Sequence, residues 1–93
     1  MQSRHSTENL TIHHRVEDYS TWRKGYDEHE KSRRSAGITN GKVFRCVDDP
    51  NDIVILLDAS DIEKARAWLI EDTLKMAMQN AGVIGTPSVR FEN

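Results

Sequence analysis

Three side chains in this sequence are of types that can move a proton or hold negative charge: His14, His29 and Arg33. An imidazole titrates near neutrality, so it can act as general base, general acid or donor to a substrate oxygen. A guanidinium stays charged and can hold a phenolate or enolate as it forms. His29 and Arg33 stand one helical turn apart, and Trp22 and Tyr26 precede them at the spacing that continues the same stripe to Ala36, at ~100° per residue. Lys24, Asp27, Glu28, Lys31, Arg34 and Ser35 fall on the opposite, solvated side. A helix laid on dry core does not present arginine there, because an unpaired buried cation is costly. Either Arg33 snorkels past the end of the helix, or the helix roofs a cavity that holds water or an anionic ligand. His14 lies in an alternating stretch with Leu10, Ile12 and Val16 on its face. It reads as a base in that cavity or as a core histidine bonded to a backbone carbonyl. Trp22, Tyr26 and Trp68 are the candidate aromatic walls for a substrate.

Other chemistries find less support. His13 and His14 are neighbours on a strand and point to opposite faces, so they cannot chelate together. No cysteine or paired carboxylate stands ready to join His14 and His29 around a metal, and no metal site is expected. Cys46 is the only cysteine, which excludes an internal disulfide; with no activating neighbour it reads as a small apolar residue. GVIGTP lacks the lysine and the following helix of a phosphate loop. DDPND, residues 48–52, is a turn signal with too few ligands for a calcium loop. No cofactor is therefore expected. The net charge is −2 with both signs interleaved, which gives no general attraction for nucleic acid or anionic lipid. No apolar run approaches the ~18 residues of a membrane span. MQSRHSTEN has no hydrophobic signal core, so a cytoplasmic protein is expected.

The elements that must position these residues follow from periodicity. Residues 1–9 are polar and aperiodic and read as a flexible arm; residues 10–93 suffice for one domain with a modest core. Leu10–Val16 alternates as a strand. Asp18 is placed to cap the first helix and Gly37 to end it. KVFRCV, from Lys42 to Val47, is strand-like and leads into the DDPND turn. Ile53 to Leu57 is a near-continuous apolar run, the pattern of a strand buried on both faces. A second helix is expected from Ser60 or Asp61 to about Gln79, with Asn80 and Gly82 ending it. Its core stripe is Ile62, Ala65, Leu69, Thr73 and Met76. A second arc, with Ala67, Ile70, Leu74, Met78 and Ala81, is also apolar and is expected to meet the C-terminal tail or another subunit. A bend at Gly85-Thr86-Pro87 precedes a closing strand near Ser88–Phe91. The order β-α-β-β-α-β predicts an α+β, ferredoxin-like fold: a four-stranded antiparallel sheet with two helices on one face. The other face would be bare and partly apolar, which predicts a homodimer formed through the sheet. Which alternate residues of Ile53–Leu57 face the partner is left open.

Three segments carry a family resemblance: RVEDYSTWRKGYDEH (15–29), VFRCVDDPND (43–52) and AMQNAGVIGTP (77–87). Together they resemble the dimeric α/β-barrel superfamily, and within it small proteins related to antibiotic-biosynthesis-monooxygenase domains and to cyclase-like proteins. The resemblance implies two ferredoxin-like subunits paired sheet to sheet, with a small-molecule pocket in each between helices and sheet. Members include cofactor-free oxygenases of polycyclic phenols, haem-degrading enzymes and lactone isomerases. The Asn and His of the haem-degrading branch have no match here, which disfavours that branch. A shared fold does not choose among the rest. Two functions follow as expectations: a cofactor-free monooxygenase-like or cyclase-like enzyme acting on an aromatic or enolisable metabolite, or a non-catalytic module that binds a ligand or serves assembly.

Overall fold

The structure, a computed structural model, describes residues 8–92. Alternation makes the first element: β1 (Glu8–Val16) turns Leu10, Ile12, His14 and Val16 inward and His13 and Arg15 outward. Glu8 and Asn9 already pair with Ala59 and Asp58, so the sheet begins two residues inside the segment expected as an arm. The remainder of that segment lies outside the described residues. The Asp18 carboxylate then accepts from the Thr21 amide and hydroxyl, both at 3.0 Å, and starts α1 (Tyr19–Glu28). A short α2 (Glu30–Ser35) continues it to Gly37, which takes φ 77°, the left-handed turn that releases the chain. The next strand, β2 (Ile38–Arg45), begins at once, four residues earlier than Lys42, and ends before Cys46, which is exposed rather than a core residue. After the DDPND turn come β3 (Asp52–Ala59), α3 (Ile62–Leu69), α4 (Asp72–Asn80) and β4 (Val83–Glu92).

The strands form one antiparallel sheet in the order β2-β3-β1-β4, with both helical layers on one face. This is the ferredoxin-like arrangement, each expected helix being broken in two. Leu10 opposite Leu57 and Phe91, and Ile12 opposite Ile55 and Val89, set the core on the helix side. Ile53, Ile55, Leu57 and Ala59 of β3 are buried there. Val54 and Leu56 point to the other face, where Leu56 is 40% exposed and Phe44 51%. Within one chain β3 is thus sealed on one side only.

The two helix breaks differ in consequence. At the first, His29 keeps φ −92° and ψ 9°, its amide still bonds the Gly25 carbonyl at 3.1 Å, and its own carbonyl accepts from Arg33 at 3.2 Å. The helical phase therefore survives, and Trp22, Arg33 and Ala36 all remain on the buried side. At the second, Glu71 is extended (φ −68°, ψ 139°), and α4 starts afresh. Leu74, Met78 and Ala81 now turn inward, while Thr73 and Met76 of the expected core stripe are exposed. Ile70, in the break, is 74% exposed.

Candidate functional site

A cavity of about 430 Å³ lies between the helical layer and the sheet. His14, Trp22, Tyr26, His29, Arg33 and Trp68, the six residues singled out from the sequence, all line it. Each arrives there for a local reason. The β1 alternation points His14 inward, where it is only 6% exposed and its ring meets Trp22 edge-on, centroids 5.4 Å apart at 67°. The Trp22 indole stacks on Tyr26 at 5.0 Å and 28°, and α1 holds the two one turn apart. The Tyr26 ring is in turn the platform for Arg33, whose guanidinium carbon sits 3.8 Å from the ring centroid. Arg33 donates from Nη1 to the Tyr26 carbonyl oxygen at 2.6 Å. From the other layer, Trp68 donates Nε1–H to the Ser32 hydroxyl at 2.8 Å, tying α3 to α2 beside the cavity. Its ring lies 5.9 Å from that of His29, which stands at the helix break and is half-buried.

The electrostatics separate the candidates. His14 Nδ1 is buried with no hydrogen-bond partner among the described residues. Burial pushes its pKa below the ordinary imidazole value, and the neighbouring His13 pushes the same way, so the ring is neutral near pH 7. Arg33 is 8% exposed, and no carboxylate of the described residues lies within ion-pair distance of it. Burial lowers its pKa, but a guanidinium starts so high that it keeps its charge. Burial raises the Tyr26 pKa, with Arg33 acting against that rise, so the phenol stays protonated. The site combines a neutral proton acceptor, a buried cation and a stack of aromatic rings in an otherwise apolar space.

Several lining residues escaped the sequence reading. Leu74, Lys75, Met78 and Gln79 reach the cavity from α4, and Gly85, Thr86 and Pro87 reach it from β4. A helix continued unbroken from Ile62 would have turned Leu74 ~180° away from Ala65, so periodicity argued against these residues. The available cue was the Glu71-Asp72-Thr73 string, acidic and poor in helix propensity, which suits a second N-terminus better than a helix interior. In β4 the register slips between Ser88 and Ile84, against His13 and Arg15 of β1, and the intervening Gly85-Thr86-Pro87 bulges toward the cavity. Among the described residues no Asp or Glu lines the cavity, whereas Arg33 and Lys75 both do. Among the described residues no three His, Cys, Asp or Glu side chains gather as a metal site would require.

The same arrangement of chain recurs in solved structures. An antibiotic-biosynthesis-monooxygenase-like protein from Bordetella bronchiseptica superposes with a TM-score of 0.75 at 12% identity, over 95% of this chain and 97% of the other. A similarly described protein from Nitrosomonas europaea gives 0.71 at 13%, over 100% and 94%. The shared fold is the ferredoxin-like α+β arrangement described above. SnoaB, a cofactor-independent oxygenase from Streptomyces nogalater, shares it with a TM-score of 0.69 at 11% identity, over 90% of both chains. At these identities the likeness speaks for the fold alone. No protein-family model matches the sequence, and neither does any curated protein. No helix among the described residues is long and apolar enough to cross a membrane.

Proposed function

We propose that this barrel binds an aromatic or enolisable small molecule in the cavity and removes a proton from it at His14, without a bound cofactor. One observation carries the reading: a buried imidazole lines the same cavity as a cation that has no carboxylate within ion-pair distance among the described residues. A neutral imidazole can accept a proton from a ligand in the cavity through whichever ring nitrogen the ligand reaches. As the proton transfers, the ligand becomes an enolate or phenolate, and Arg33 lines the cavity from the helical side to hold the charge. His29, beside Trp68, is placed to steer the ligand or pass the proton toward solvent. Trp22, Tyr26 and Trp68 supply flat apolar contact. Deprotonation is the step that monooxygenase-like and cyclase-like chemistry would share. A homodimer, formed through the bare sheet face that carries Phe44, Val54, Leu56 and Ile84, is the assembly we assign to it.

The test is proton exchange. In D2O, the protein should wash deuterium into the acidic methylene of 2-tetralone faster than buffer alone, as read by NMR. His14→Ala should slow the catalysed exchange ~10²-fold, the usual worth of a positioned base. No rate above buffer for this and related ketones would remove the catalytic reading. Saturable binding of the ketone without exchange would support the second reading, a binding module. That alternative draws on Arg33 itself, whose seat on the Tyr26 ring and carbonyl is also a structural bond.

A further inference from the structure

On the far side of the Tyr26–Arg33 pair lies a second space, a polar cleft of about 440 Å³ between α1, α2 and β2. It exists because β2 departs from regular pairing. Between Thr39 and Lys42 the register against β3 shifts, and Asn40 adopts φ 57°, a left-handed conformation uncommon outside glycine. The Asn40 side chain is held there by donating Nδ2–H to Asp58 at 2.8 Å. At Gly41 the Tyr26 hydroxyl occupies the place that a Cβ would take. The bulge and the missing side chain leave room between the strand and the helices.

The charges around this room do not cancel. Arg23, Arg33 and Arg34 line it, with Asp27 and Glu30 as the acids. Asp27 is engaged by Arg23 at 3.1 Å. Neither Arg33 nor Arg34 has a carboxylate within ion-pair distance among the described residues. Arg33 carries five N–H donors, and among the described residues its side chain makes one hydrogen bond, from Nη1 to the Tyr26 carbonyl. A guanidinium that is nearly buried, seated on a ring and short of acceptors is pre-organised for a forked partner.

We propose that this cleft is a second binding site, for a small oxyanion (a carboxylate or phosphate) gripped by Arg33 and Arg34. Both guanidinium groups line the cleft, and two planar forks suit an anion with two or more oxygens better than chloride. Burial of Arg33 keeps the attraction from being screened as it would be at an open surface. Exposed Glu30 on the rim opposes a polyanion, so the ligand is a compact, singly or doubly charged group and not a nucleic-acid backbone. The cleft shares Arg33 with the apolar cavity, so an enolate held there would compete for that guanidinium, whereas Arg34 lines the cleft and not the cavity.

The whole chain, labelled with 15N, should be titrated with sodium acetate and separately with sodium phosphate, each against sodium chloride at equal ionic strength. Saturable movement of the Arg33 and Arg34 side-chain resonances beyond the chloride control is expected, with Arg66 and Arg90 still. The stronger of the two salts identifies the anion class. Arg34→Gln, an exposed substitution whose amide spectrum should stay native, is expected to weaken binding about tenfold, the scale of one charge-assisted hydrogen bond. Arg33→Lys, which keeps the charge and loses the fork, should weaken it comparably. Movement no greater than in chloride, uniform movement of all arginines, or affinity unchanged by Arg34→Gln would each overturn the proposal.

Discussion

Among the described residues His14 and Arg33 hold costly positions, a buried nitrogen without a hydrogen-bond partner and a buried cation without an acid at ion-pair distance. Their costs make separate predictions. Unfolding releases His14 to its ordinary pKa of ~6.5, whereas in the fold burial holds it lower. Between those two values the unfolded chain binds the extra proton, so stability is whole above about pH 6.5 and falls as the pH drops below it. Urea unfolding at about pH 7.5 and about pH 5.5 should show a smaller acid loss for His14→Gln than for the unaltered protein. Equal losses in the two proteins would mean that His14 is not held neutral. For Arg33 the expectation concerns stability and ligand together. Arg33→Met fills the same stem volume and removes the buried charge, so stability should hold or rise by ~1 kcal/mol. Binding of a phenolic ligand in the cavity should nonetheless weaken. A marked loss of stability would assign Arg33 to the structure, through its seat on Tyr26.

At the scale of elements, the site is shaped by where regular structure stops. The break at His29 preserves phase and keeps the aromatic–imidazole–guanidinium stripe on one side. The break at Glu71 resets it, which is why Leu74 is buried and Met76 is 61% exposed. Leu74→Ala should then cost ~2–4 kcal/mol, whereas Met76→Ala should cost little. Denaturant midpoints measured side by side would decide it, and the reverse order would mean that α4 continues the phase of α3. The β2 bulge gives a second test. Gly41→Ala sets a methyl group against the Tyr26 hydroxyl and 3.2 Å from Leu57 Cδ2. A tyrosine stacked on Trp22 and Arg33 yields poorly, so a loss of ~1–3 kcal/mol is expected in thermal unfolding. A neutral result would show that Tyr26 moves freely within its stack.

For the whole molecule the question is what covers the open side of the sheet. Phe44, Leu56 and Ile84 are each about half exposed there, and large apolar side chains on one sheet face are what a partner would cover. The outward His13–Asp52 and Arg15–Asp49 pairs involve β1, the strand that separates Leu56 of β3 from Ile84 of β4. Sedimentation at micromolar concentration should give twice the 10.7 kDa chain mass. Leu56→Asp, on the outer face, should yield a folded monomer. Ile55→Asp, one residue away but 3% exposed, should unfold the chain because its charge enters the core without a partner. A native monomer from the unaltered sequence would refute the sheet-to-sheet dimer.

Alternation and amphipathicity are local, so the sequence alone determined the element order, the inward set of β1, the Asp18 and Gly37 caps, and the stripe from Trp22 to Ala36. Six residues chosen on those grounds line one cavity, because a strand of period two and a helix whose phase survives its break each keep their inner faces in order. What failed to read was whatever depends on interruption. A register shift such as those at Asn40 and at Gly85–Pro87, or one extended residue at Glu71, costs little locally and is decided by what the chain packs against. The same holds for β3: its apolar run could not say which residues were inner until pairing with β1 set Ile53, Ile55 and Leu57 against the helices and left Val54 and Leu56 outside. Only the tertiary structure put Lys75, Thr86 and Pro87 into the cavity and opened the arginine-lined cleft beside it, since both spaces are bounded by segments far apart in the chain.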